Sequence, residues 1–315
     1  MNNLFSSNLF GEMSSFSNKM NNNNSSTNNQ YEKKLINTNN TNKDIIQKSP
    51  NNYYALNKSV KDYGYSLEDN NKYRNSMEDF IYCNDNFLDR EELGVFIVLD
   101  GHGGKDAAEY AVKRLPEIIK TKLKYKDSDL IHSIEQSFID IDKELQFYID
   151  KTSGTTATLV YIENNKLICS NVGDSSAKLF DFKSNYSKTL SFDHRIMYNK
   201  EEQERIISNK GIIKNNRVNG SLMLSRSLGD HYLQDFGLTP IPQSTKEIIL
   251  NKEDKYLIIA SDGVWDVLDD NMIFDLKYDL GFSNNIKCQI ISDNIVKKCK
   301  QLESKDNISC IVIKL

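Results

Sequence analysis

Two short apolar runs, Gly94–Leu99 (GVFIVL) and Lys255–Ser261 (KYLIIAS), each stop at an Asp-Gly pair, Asp100-Gly101 and Asp262-Gly263. Uninterrupted runs of this length, rich in β-branched residues, read as strands buried on both faces. An acid at the end of such a strand is held at the rim of a core. Asp174 follows a third run, Leu167–Val172, and Asp306 precedes a fourth, Ile308–Ile313 (ISCIVI). Clustered carboxylates in partial burial repel one another and resist ionising unless a cation joins them. Oxygen donors suit a hard divalent ion, Mg²⁺ or Mn²⁺. Asp-Gly is also a common turn dipeptide, so any one of these acids alone reads better as a turn. Four together, with no His or Cys cluster competing, favour an oxygen-ligand metal site.

The elements between the acids set the fold class. Helical spacing covers Ala107–Leu123. A second helix is expected from Ser128 to about Ile149, where Ile131, Ile134, Phe138, Ile141 and Leu145 share one face. Thr156–Ile162 and Leu167–Val172 form a hairpin pattern around Glu163-Asn164-Asn165-Lys166, and Ala177–Asp181 is a further strand. Asn199 to Gly211 reads as a short charged helix with Gly211 as its stop. Asn271–Asp279 and Ile286–Leu302 read as helices. Strands and helices interleave with hairpins, so antiparallel or mixed sheets are expected, not a doubly wound parallel one.

Composition divides the 315 residues unevenly. The first 50 hold 14 Asn and only 13 apolar residues, with NNNNSSTNN at 21–29. Such a segment buries too little apolar surface to offset its ordering entropy, so residues 1–52 are expected to be a disordered tail and 53–315 a folded domain. Net charge is −4, without a basic stripe, which argues against a nucleic-acid partner. No window reads as a membrane span or a basic amphipathic helix. The five cysteines are odd in number and lack CxxC pairing. They read as reduced thiols of an intracellular protein, cytoplasmic or nuclear.

The specific signal lies in nine ordered motifs. They are Arg74–Asp79 (RNSMED), Asp100–Gly104 (DGHGG), Ser153–Ala157 (SGTTA), Val172–Ser175 (VGDS), Asp193–Arg195 (DHR), Arg217–Leu222 (RVNGSL), Ser225–Asp230 (SRSLGD), Ala260–Asp266 (ASDGVWD) and Lys305–Ser309 (KDNIS). Together they resemble the metal-dependent protein Ser/Thr phosphatases of type 2C, over about residues 60–315. The resemblance implies an α+β fold: a four-layer αββα sandwich, two antiparallel sheets flanked by helices, with a binuclear metal cleft at one end. It implies that Asp100 bridges two Mg²⁺ or Mn²⁺ ions, with Glu78 and the Gly101 carbonyl on one ion and Asp262 and Asp306 on the other. Asp79 would bond metal-bound water. Asp174 and Asp266 match positions that hold a weaker third ion in some members.

By the same resemblance the substrates are phosphorylated proteins, the protein is a monomer, and a water activated between the ions attacks phosphorus in line. Arg74 offers a planar fork of donors to phosphate oxygens. His102 is placed to protonate the departing Ser or Thr oxygen. His132, His194 and His231 read as structural, Trp265 as core, and the hydroxyls of Ser153–Thr156 as bonded to backbone. Two positions depart from the family pattern, with Ser176 where Arg is frequent and Ile196 where Pro is common. Neither is a metal ligand in the family, so both bear on substrate contacts or loop shape; the region of about residues 181–219 resembles the family's variable flap, where substrate choice is expected to lie.

Overall fold

The computed structural model describes residues 45–46, 59–124, 129–250, 255–279 and 286–315. Two sheets form its centre, and every pairing between their named strands is antiparallel. One has nine strands and runs through Asp79–Asn84, Leu93–His102, Ala157–Glu163 and Lys166–Val172. The other has five, in the order Asp62–Glu68, Ile308–Lys314, Tyr256–Ala260, Ser176–Asp181 and Tyr186–Thr189.

The two-residue period of a strand explains the layers. Along Leu93–His102, Val95, Ile97 and Leu99 face helices Asp106–Leu123 and Leu130–Tyr148, where Ala111, Leu115, Phe138 and Ile141 receive them. Phe96 and Val98 face the opposite sheet and meet Leu257, Ile259, Ile311 and Ile313. On the far side Ile258, Ala260, Cys310 and Val312 pack on Ile273, Ile291 and Ile295 of helices Asp270–Asp279 and Cys288–Gln301. Helix, sheet, sheet and helix therefore stack as four layers, the expected sandwich. Each buried Ile, Leu or Phe contributes about 1.5–3 kcal/mol.

Several boundaries differ from the sequence reading. The helix expected from Ser128 begins at Leu130, with the Asp129 carboxylate accepting from Ile131 N as its N-cap; residues 125–128 lie outside the described set. Gly211 is not the residue that stops the charged helix, which spans Lys200–Ser208. Lys210 takes the positive φ of 62°, and its N–H donates to Ile207 O while Gly211 N–H donates to Ile206 O. That pair of bonds is a Schellman motif, which places Gly211 one residue beyond the left-handed position. The pattern also hid strands Asp62–Glu68, Asp79–Asn84 and Tyr186–Thr189 and the short helix Asp262–Trp265. Within the segment expected to be a tail, Ile45–Ile46 pairs with Tyr82 and Ile81 at the edge of the larger sheet. In the region expected as the flap, Ile196, Ile206 and Val218 pack with Leu233 and Leu238 from beyond it in a separate small core.

Candidate active site

The strand ends bring the acids together. Asp79 opens one strand and Asp100 lies near the end of its neighbour, and the two are register partners. Gly101 N–H donates to Glu78 O at 3.1 Å, which fixes the residue before that strand. On the other sheet Asp262 begins the short helix after Tyr256–Ala260, and Asp306 stands just before Ile308–Lys314, the strand paired with it. A cavity of about 550 Å³ opens between them. Arg74, Glu78, Asp100, Gly101, His102, Asp174, Asp262 and Asp306 all line it.

Two expected site residues lie apart from that lining. Asp79 is buried behind it, only 1% exposed. Asp266 lines an adjacent cleft of about 330 Å³ that shares Arg74, Asp262 and Asp306.

The electrostatics are those of crowded acids. Burial pushes the Asp100 carboxyl well above the usual range, and Asp79, Asp262, Asp174 and Asp306 push it further. Asp79 is raised to about 7, mainly by burial, although the Ser309 and Ser261 hydroxyls partly relieve it. Burial and then Asp262 bring Asp174 to about 7, against the pull of Arg195. Burial, Asp306 and Asp266 bring Asp262 to about 6. Removing charged carboxylates from water is costly unless something positive replaces the water.

Arg74 and Arg195 supply part of that positive charge. Arg74 Nη2 pairs with Asp306 and its Nε donates to Lys305 O at 3.3 Å. Arg195 grips Asp193 and donates to Asp266 at 3.1 Å. Yet Asp79 Oδ2 and Asp262 Oδ1 are buried without a hydrogen-bond partner. Among the described residues no three carboxylate, imidazole or thiol groups already converge at chelating distance. The fit to a divalent ion therefore rests on donor chemistry: the donors are all oxygens, and two of them are buried and unsatisfied. A hard ion such as Mg²⁺ or Mn²⁺ suits that set.

His102 is backed by Asp230, with Nε2 2.6 Å from Asp230 Oδ2. Burial opposes charging the imidazole, but Asp230, with Asp174 and Glu78, outweighs it and leaves the His102 pKa above its ordinary value. His194 is fully buried between Gly173 O and Gln243 Oε1, at 2.9 and 2.8 Å. Trp265 is half-buried, its indole N–H donating to Ser176 O and Ala260 O. Ser153 Oγ accepts from Ala107 N and donates to Gly104 O, and Thr155 Oγ1 donates to Thr156 O. Ile196 fills the flap core, and Ser176 Oγ meets Ser191 Oγ at 2.7 Å.

Two residues of the site had no role assigned from sequence. Asp230 is one. Asn307 is the other: its Oδ1 accepts from Glu78 N at 2.9 Å, while its Nδ2 donates to Asp69 O and Ser76 O. It ties the Arg74–Asp79 segment to the segment carrying Asp306. Both lie inside the SRSLGD and KDNIS motifs, the only local signal that could have found them.

Known proteins resemble this chain in sequence and in fold. The family model described as protein phosphatase 2C matches residues 63–308. Protein phosphatase 2C homolog 1 of Saccharomyces cerevisiae is 30% identical over 268 residues, covering 79% of this chain and 92% of the yeast protein. A Caenorhabditis elegans sex-determining protein superposes with a TM-score of 0.70 at 22% identity, over 80% of this chain and 64% of its own. A Toxoplasma gondii serine-threonine phosphatase 2C superposes with a TM-score of 0.68 at 17% identity, over 86% of this chain and 98% of its own. The family match and the yeast relative carry the assignment, and the two structures carry the fold: the chain belongs to the protein phosphatase 2C family of metal-dependent protein serine/threonine phosphatases.

Proposed function

We propose that this chain hydrolyses phosphoserine and phosphothreonine esters of proteins at the acid-lined cavity, with Mg²⁺ or Mn²⁺ held there. The observation that carries the reading is the convergence of Arg74, Glu78, Asp100, His102, Asp262 and Asp306 on one cavity. Asp100, Glu78, the Gly101 carbonyl, Asp262 and Asp306 would hold two ions, Asp79 would bond their water, and Asp174 and Asp266 would take a weaker third. When bound, such ions supply a readily deprotonated water and neutralise phosphate charge.

The chain's own groups do the rest. Arg74 stands at the cavity with a planar guanidinium that grips phosphate oxygens. Its pairing with Asp306 and Lys305 O holds it in place before substrate arrives. His102 holds the proton that the departing serine or threonine oxygen requires, since an alkoxide is a poor leaving group. Asn307 keeps Glu78 and Asp306 in fixed relation.

We assign the protein as a monomer of the cytoplasm or nucleus. Supporting that compartment, all five cysteines are free and buried, as a reducing compartment leaves them. Among the described residues no helix is long and apolar enough to cross a membrane.

The test is hydrolysis of a phosphothreonine peptide with Mn²⁺, with EDTA, and by Asp262→Ala with Mn²⁺. Activity is expected in the first case alone. Full activity in folded Asp262→Ala, or activity indifferent to EDTA, overturns the reading.

A further inference from the structure

We propose that Asp230 is the positioning residue for His102, fixing the imidazole so that Nε2–H is spent on the Asp230 carboxylate and Nδ1 is the nitrogen left for the departing oxygen. The proposal rests on the reading of His102 as the proton donor.

Three observations carry it. The first is the contact itself, 2.6 Å between His102 Nε2 and an Asp230 side chain only 1% exposed. The second is that the carboxylate is anchored from its own side. Ser227 Oγ donates to the same Oδ2 at 2.7 Å, and Asp230 N–H donates to Ser153 O at 3.0 Å. Asp230 also adopts a left-handed backbone, φ 47°, a conformation uncommon for a residue with a side chain and held only by surrounding structure. The third is the space the pair occupies. A Cβ on Gly154 would stand 2.0 Å from Asp230 Oδ2 and 2.6 Å from His102 Nε2. Gly154 is the register partner of both His102 and Gly229, so two ladders meet where a side chain would part the pair. Three motifs far apart in sequence, DGHGG, SGTTA and SRSLGD, thus converge on one hydrogen bond.

The chemistry follows from which nitrogen is engaged. A hydrogen bond to one ring nitrogen sets the role of the other. When the P–O bond to serine or threonine breaks, that oxygen keeps the bonding electron pair and takes the proton from Nδ1–H. The attacking water supplies the new oxygen on phosphorus, and the proton it releases to solvent is later matched by one that recharges the ring. Nε2–H remains on Asp230 throughout, so the imidazole keeps its orientation through turnover.

Two esters separate this role from a structural one, because p-nitrophenolate leaves without a proton and a threonine alkoxide does not. Wild type, His102→Gln, Asp230→Asn and the double variant are compared on a phosphothreonine peptide and on p-nitrophenyl phosphate, with Mn²⁺. Asp230→Asn is expected to lower kcat on the peptide about 100-fold, the scale of general-acid catalysis, with little change in KM. Its loss on the aryl ester should be at least about tenfold smaller, and the double variant should be no worse than His102→Gln. Equal losses on the two esters, or additive losses in the double variant, overturn the proposal.

The underlying reading fails separately. Wild type inactive on both esters removes the hydrolase, and His102→Gln without the ester contrast removes the acid. The contrast in His102→Gln but not in Asp230→Asn removes only the present inference. Should Asp230→Asn not fold, nitrogen NMR of histidine-labelled wild type decides: a protonated Nε2 on His102 is expected, and a bare one overturns the assignment.

Discussion

Asp79 and Asp100 face each other directly across the antiparallel ladder of their two strands. Like charges in that relation destabilise a sheet, and both carboxyls here are also pushed upward by burial. The protein carries at its catalytic rim a cost that only a proton or a cation can lift.

Metal should therefore stabilise the fold, and more so at higher pH. Carboxyls whose folded pKa lies near 6 to 7, as for Asp262, Asp174 and Asp79, favour the folded state below about pH 4. That contribution is lost as pH rises through 6 to 7, where a divalent ion takes the proton's place. At one hundred times its dissociation constant an ion adds about 2.7 kcal/mol. Thermal melts with and without Mn²⁺ at pH 5.5 and 8 check this: the rise in Tm should be larger at pH 8, and a larger rise at pH 5.5 would contradict it.

Asp100→Asn should separate activity from stability. Activity is expected to fall on the order of 100- to 1,000-fold, the scale of removing one strong electrostatic contact to a transition state. Metal-free Tm at pH 8 should rise, because a buried carboxylate surrounded by four others is gone. A variant that melts lower than wild type without metal would count against the crowding described above.

Acid should loosen the flap through Glu202. Burial alone would raise its pKa, but hydrogen bonds from Arg226, Arg205 and Ser225 bring it down to about 2. A depressed carboxylate contributes stability above its unfolded pKa of about 4.5 and loses it as pH falls toward 2. Glu202→Gln leaves Arg226 buried without its partner, at about 3–5 kcal/mol. Urea unfolding at pH 7 and pH 3 should show a large penalty at the first and a smaller one at the second.

Gly263→Ala tests how tightly the two metal-side segments abut. A Cβ there would lie 2.0 Å from the Asn307 carbonyl oxygen, a backbone atom with no side chain to swing away. Overpacking of this kind costs about 1–3 kcal/mol. Tm and peptide hydrolysis should fall together, since Asp262 and Asp306 flank the clash; unchanged values for both would show that the segments yield freely.

The run Gly94–Leu99 is legible because an unbroken apolar stretch has one cheap place to go. That its strand continues to His102 is not, since Asp-Gly reads as a turn while here Gly101 and His102 pair onward with Thr155 and Gly154. Asp79–Asn84 is hidden for another reason: it is buried on both faces, with Phe80 and Tyr82 toward the helices and Ile81 and Cys83 toward the second sheet, so no alternation marks it. The metal-side acids stand out because each borders a hydrophobic run. Asp230 and Asn307 act through contacts 128 and 229 residues away, which no local pattern encodes.

The Ile308–Lys314 strand lies between Asp62–Glu68 and Tyr256–Ala260, and among the described residues it is the only partner of Asp62–Glu68 in that sheet. On a ribosome adding about 5–20 residues per second, the first of these strands waits some 10 to 50 seconds for its neighbour. Until then Asp62–Glu68 keeps an open edge, and Tyr256–Ala260 adds a second once it has emerged, a natural substrate for a chaperone. Asp306 emerges immediately ahead of the missing strand. Completion of the sheet and arrival of Asp306 are thus a single event in biosynthesis.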